Sequence, residues 1–289
     1  MAYPINYPSS YPQEFVNLVQ TRTNTGDFIG FGNPGADLLI IGKEQAFNTN
    51  TVRGKILYQI EIMQNHHDWD QNINNRTIAT KNLVYHIPFA STGSPIALPI
   101  SGSAALKNEM VQWKDIFNPL WPYMALSSAA YISTWAAYQK LVYSVNAIKK
   151  NPKLPYCFWK DAFVTEMSQV PSTTSKGISN SGVKNSVNSR INNNILSHDF
   201  FKTFHYVVLA CGNYIDARGK WTNSAKARLT NIKKMFGDVE ELVQKDLPKG
   251  IRGIYKSDKQ IIVNSCQLSM SWGSDKIINS IRQALGLRP

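Results

Sequence analysis

The sequence predicts an α/β fold: helices on both faces of a central parallel sheet of about four strands, a three-layer α/β/α arrangement. Three observations carry that expectation. Four short apolar runs are spread along the chain, helical patterns lie between them, and polar residues stand directly after the first and the last run. Runs that are apolar without alternation suit strands buried on both faces. Strands separated by helices suit a parallel sheet covered on both sides.

Taken in order, a turn-rich approach through Thr25-Gly26 and Gly30-Phe31-Gly32-Asn33-Pro34-Gly35 leads into the first strand, Ala36-Asp37-Leu38-Leu39-Ile40-Ile41. Residues 85–106, with Pro88, Gly93, Pro95, Pro99 and Gly102, read as a loop-rich insertion. A helix is expected from Ala129 to Ile148, where Trp135, Tyr138, Leu141 and Val142 recur at helical spacing, and a second strand over Ala162 to Glu166. Residues 172–194 are dominated by Ser, Asn, Lys and Gly. They read as a flexible basic loop whose Lys176, Lys184 and Arg190 would lie along a phosphate backbone. The third strand is Tyr206 to Gly212 and the fourth Gln260 to Asn264. Ile277, Ile278, Ile281 and Leu285 line one face of a last helix that Gly286 can close. No repeat or boundary divides residues 1–289, so a single domain is expected.

Composition narrows the partners. At 289 residues and 43% hydrophobic content the chain can fill a core, and 31 Lys+Arg against 19 Asp+Glu leave a net charge of +12. Such a surface attracts polyanions, nucleic acid foremost. The longest apolar runs are far too short to span a bilayer, and Met1 to Gln13 has no apolar core of a secretory signal, so a cytoplasmic protein is expected. Cys157, Cys211 and Cys266 stand too far apart for a disulfide framework or a zinc ribbon. His66 and His67 beside Asp68 and Asp70 superficially suggest metal ligands, but adjacent side chains diverge and no further His or Cys lies close in sequence. Neither metal nor cofactor is expected.

The chemistry concentrates in two strings. Gly42-Lys43-Glu44-Gln45-Ala46 follows the first strand and Asn264-Ser265-Cys266-Gln267-Leu268-Ser269 follows the last. In an open parallel sheet, ligands bind in the crevice outside the carboxyl ends of the strands, so the two strings are candidates for one site.

In strand order and in these strings the chain resembles the uracil-DNA glycosylase superfamily. That family's first motif has the form Gly-x-Asp-Pro-Tyr or Gly-Glu-x-Pro-Gly; here Gly42 matches and Glu44 takes the carboxylate position, without the proline. Its last motif has the form His-Pro-Ser-Pro-Leu-Ser, with Asn for His in the mismatch-specific branch. Asn264 through Ser269 keeps the Asn and the closing Leu-Ser and lacks both prolines. A middle strand typically ends in an Asn that reads the base, often as Thr-Asn-Val, where this chain has Thr165-Glu166-Met167. An Asn amide offers a donor and an acceptor, whereas an ionised Glu only accepts, which suits the amino group of a cytosine-type base. The iron–sulfur branch needs four thiolates, one more than the three cysteines present.

The resemblance implies a uracil-DNA-glycosylase-like fold and a monofunctional DNA glycosylase, working as a monomer. Its branch would be that of the bacteriophage-replication-inhibiting DNA glycosylase, which acts on modified (glucosylated hydroxymethyl) cytosine in phage DNA and serves anti-phage defence. It implies Glu44 and Asn264 as catalytic residues, with Glu166, Phe47, Gln45 and Phe89 around the base. Lys43, Ser265 and Ser269 join Lys176, Lys184 and Arg190 as phosphate contacts. A uracil or mismatch glycosylase, a non-catalytic nucleic-acid-binding module and a hydrolase of free nucleosides are the alternatives.

Overall fold

The structure, a computed structural model, describes residues 11–22, 26–44, 49–50, 58–63, 65–75, 133–146, 158–172, 181–193, 195–218, 220–221, 225–242, 246–268 and 275–287. The insertion expected at 85–106 lies outside them.

The protein is α/β. Its main sheet holds β1 (Phe31–Gly32), β2 (Leu38–Gly42), β3 (Ala162–Glu166), β4 (Tyr206–Leu209), β7 (Glu240–Glu241), β8 (Ile251–Lys256) and β9 (Ile261–Ser265), while β5 (Ala217–Arg218) and β6 (Lys220–Trp221) pair apart from it. The order across the main sheet is β1-β3-β2-β4-β9-β8-β7. The four strands read from sequence, β3, β2, β4 and β9, run parallel side by side. Antiparallel strands flank them, β1 on one edge and β8 with β7 on the other. Among the described residues the sheet therefore has seven strands, four of them the parallel set and three antiparallel at its edges. β1 and β7 are two residues each, too short to leave a pattern, and β8 carries a register irregularity between Ile251 and Gly253 that breaks its alternation.

Alternation along the parallel strands sends side chains to two cores, one on each face of the sheet. On one face Leu39, Ile41, Phe163, Val207, Leu209 and Ile262 pack beneath α1 (Gln13–Thr21), α2 (Asn65–Asn75), α4 (Ser181–Asn192) and α5 (Ala225–Phe236). On the other, Leu38, Ile40, Val164, Val208 and Val263 meet α3 (Ser133–Val145) and α6 (Asp275–Ala284). Tyr138, Leu141 and Val142 are the buried side of α3, as their spacing predicts. Beyond α6 the chain turns at Gly286 (φ 75°), where the amides of Gly286 and Leu287 donate to Gln283 and Arg282. No helix among the described residues is long and apolar enough to cross a membrane.

Within 172–194 the flexible-loop reading gives way to a helix. Residues 181–192 form α4, and Val183, Val187 and Ile191, four residues apart, are its buried stripe. The polar composition belongs to the other faces. Arg190 is correspondingly no surface phosphate contact. It is 1% exposed, stacks 5.8 Å from the Phe28 ring, and donates to the carbonyls of Glu166 (3.1 Å) and Phe28 (2.7 Å), to Gln169 Oε1 (3.3 Å) and to Thr165 Oγ1 (3.2 Å). Burial lowers its guanidinium to about 10, so it remains charged at neutral pH and braces the end of β3 from within.

Candidate active site

β2 passes to β3 on one side of it, whereas the chain after β3 enters β4 on the other side, so the sheet's topological switch lies between β2 and β4. A crevice at the carboxyl ends of the strands is expected at such a switch. The residues beyond β2, Lys43 and Glu44, and those beyond β4, Cys211 and Gly212, stand there.

The backbone at these strand ends is held by continued pairing. The amides of Met167 and Ser168 donate to the carbonyls of Gly42 (2.9 Å) and Lys43 (2.8 Å), and that of Gly212 to Ser265 (3.1 Å). The side chains of Lys43 and Glu44 converge on one residue, Tyr214. Lys43 Nζ lies 5.1 Å from the ring centroid, and the Tyr214 hydroxyl lies against the Glu44 carboxylate. Burial lifts the Glu44 carboxyl to about 7, against the opposing pull of the Tyr214 hydroxyl and of Lys43. Glu44 Oε2 is buried with no hydrogen-bond partner among the described residues.

Asn264 is paired in register with Leu209 of β4 and Gly253 of β8 and is fully buried. Neither its Nδ2 nor its Oδ1 has a hydrogen-bond partner among the described residues. A buried amide with both ends unmatched costs about 1–3 kcal/mol, and folds rarely keep one without a use.

Glu166 lies at the end of β3, opposite Gly42. Its carboxylate and the Tyr138 hydroxyl fill the space over Gly42: a Cβ there would stand 2.1 Å from Glu166 Oε2 and 2.8 Å from Tyr138 Oη. That close approach requires glycine at 42. Gly42→Ala is therefore expected to force the carboxylate aside and cost about 1–3 kcal/mol in urea unfolding, and an unchanged midpoint would show that the space is not filled.

Register separates Glu166 and Asn264 by face. Thr165, Ile41, Leu209 and Asn264 form one row across the sheet, and Glu166 with Gly42 belongs to the next, so Glu166 turns to the α3–α6 face and Asn264 to the other. They also stand three strand spacings apart, ~14 Å at the backbone. A ligand touching both must lie across the end of the sheet.

Ser265 does not serve as a phosphate contact. β9 extends through it, its residue is fully buried, and its hydroxyl donates to the Cys266 carbonyl at 3.0 Å. Lys184 is half-buried in the first turn of α4. Gln45, Phe47, Phe89, Ser269 and Lys176 lie outside the described residues. Tyr214 and Tyr138 were not among the residues read as functional. Tyr214 stands shortly past the apolar run of β4, as Glu44 does past that of β2, and that is the signal the sequence offers. Cys211, buried beside the crevice, is held as a thiol, its ionisation pushed up to about 12 by burial.

A separate groove of about 740 Å³, lined by Lys202, Lys233, Lys256 and Lys259 with Asp238 and Asp258 among others, opens toward the amino end of β9 and contains none of these residues. No group of three or more His, Cys, Asp or Glu among the described residues could hold a metal ion. Comparison with protein-family models, curated proteins and solved structures returns no match to this chain.

Proposed function

We propose that this chain is a DNA glycosylase of uracil-DNA-glycosylase-like fold that extrudes a cytosine-type base, a modified cytosine such as phage DNA carries, and hydrolyses its N-glycosidic bond. The observation that carries the reading is the pair Glu44 and Asn264. Both bring buried polar atoms without partners among the described residues to the carboxyl end of the parallel sheet, on strings that resemble the first and last motifs of the superfamily.

Extruding a nucleotide costs a few kcal/mol, which the +12 charge helps offset by drawing in the phosphate backbone. As the glycosidic bond breaks, the sugar gains positive and the base negative charge. Ionised Glu44 stabilises the first and orients the attacking water. The Asn264 amide has no acceptor among the described residues to give up, so its N–H is available to the base carbonyl where negative charge gathers. Glu166 accepts from the base amino group.

The test is to incubate the protein with matched DNAs carrying uracil, cytosine, hydroxymethylcytosine or glucosylated hydroxymethylcytosine. Abasic sites are scored by alkaline cleavage and released base by mass spectrometry. Abasic sites in a cytosine-type DNA are expected, and Glu166→Gln is expected to reduce them by 10-fold or more, since one good base contact is worth about 1–3 kcal/mol. Product from uracil DNA alone would remove the role given to Glu166. Salt-sensitive DNA binding with no product from any DNA would mark a binding module, and release from free nucleosides a nucleoside hydrolase.

A further inference from the structure

We propose that Lys43 is an imine-forming nucleophile, giving the crevice a second activity: strand cleavage at abasic deoxyribose by β-elimination, beyond the hydrolysis expected of a monofunctional glycosylase. The proposal rests on reading the crevice as the seat of an extruded deoxyribose.

The geometry points to Lys43 in three ways. Its side chain is half-buried and crosses the end of β4 at the topological switch, its Cε 3.6 Å from where a Cβ of Gly212 would stand. None of the ion pairs among the described residues involves it; its ammonium is placed instead over the Tyr214 ring. The hydroxyl of the same tyrosine stands near Glu44, so an amine and a carboxyl group meet at one residue. The charged and thiol groups facing Lys43 are Glu44, Arg252, Cys211 and Cys266. Burial favours the uncharged amine of Lys43 and the uncharged thiols of Cys211 and Cys266, so of these groups only the nitrogen is shifted toward its nucleophilic form. A lysine meant only to hold a phosphate gains nothing from burial, because its point charge works best with the ammonium ionised and exposed.

Each step balances. The Nζ lone pair adds to C1′ of the ring-opened abasic sugar; water leaves with a proton from Glu44, and a protonated imine forms. Glu44, now ionised, takes a C2′ proton. That electron pair becomes the C2′=C3′ bond as the C3′–O bond breaks and the 3′-phosphate departs. Water then hydrolyses the imine and frees the amine. No oxidant or reductant takes part.

The experiment supplies the full-length protein with DNA that already contains an abasic site, adds borohydride to reduce any imine to a stable amine, and maps the covalent protein–DNA adduct by peptide mass spectrometry. The same preparation is assayed for base release from the modified-cytosine DNAs. An adduct at Lys43 is expected, falling by roughly two orders of magnitude in Lys43→Arg, which keeps the charge but forms no imine; its urea midpoint reports that it folds. Base release with no adduct would overturn the lyase and leave the glycosylase reading in place. An adduct at Lys43 with no base release from any DNA would do the reverse. An adduct that persists undiminished in folded Lys43→Arg assigns the chemistry to another amine and overturns the proposal.

Discussion

Glu44→Gln is expected to lower single-turnover base excision by about 10²–10⁴-fold while making the protein more stable at alkaline pH. The two effects have one cause. The Glu44 carboxyl titrates near 7 in the fold against an ordinary value of 4.5 because burial penalises its charge. Below pH 4.5 both folded and unfolded chains hold the proton, and Glu44 contributes no pH dependence. Between 4.5 and 7 the folded protein keeps a proton the unfolded chain has released, so stability falls as pH rises. Above 7 the full penalty applies, about 3 kcal/mol at the usual conversion. The amide carries no charge, so the gain of Glu44→Gln should be small at pH 5 and approach that figure at pH 8.5, read as urea midpoints. Excision by the unaltered protein should rise through pH 7 to a plateau, as it must if the ionised carboxylate acts. Equal effects on stability at both pH values would show that Glu44 does not titrate in a buried site, and retained turnover would remove it from the mechanism.

Asn264→Leu should likewise exchange function for stability. Leucine has nearly the shape of asparagine and no polar atoms. Removing an amide whose two ends are buried without partners among the described residues is expected to stabilise the fold by roughly 1–2 kcal/mol. Excision should fall by about 10²–10³-fold, the usual consequence of deleting a hydrogen-bond donor that serves developing negative charge. DNA affinity should change little, since phosphate contacts supply most of it. The measurement is a urea midpoint beside single-turnover excision and a salt-dependent binding curve. Destabilisation by the leucine, with binding and excision falling together, would make Asn264 a structural residue.

Much of the site is legible in the chain because strand ends are local features. Glu44 follows a run of aliphatic residues, and Asn264 closes another, so their common place at one end of a parallel sheet follows from strand direction alone. Arg190 and Ser265 show where that reasoning stops. Both sit in polar stretches that read as surface, and both are buried. One is enclosed where α4 lies against the end of β3, and the other where β9 runs one residue further and pairs with Ile251. Whether a polar side chain faces water depends on what packs over it from elsewhere in the chain.

The sequence by itself determined the four parallel strands and the buried faces of α3 and α6, because a strand covered on both sides needs an unbroken apolar run and a half-buried helix needs its 3.6-residue stripe. Only the tertiary structure decided the antiparallel edges, the convergence of Lys43 and Glu44 on Tyr214, and the face to which each polar residue turns. Those depend on register between strands far apart in sequence, where a slip of one residue exchanges the two faces and leaves the local pattern unchanged.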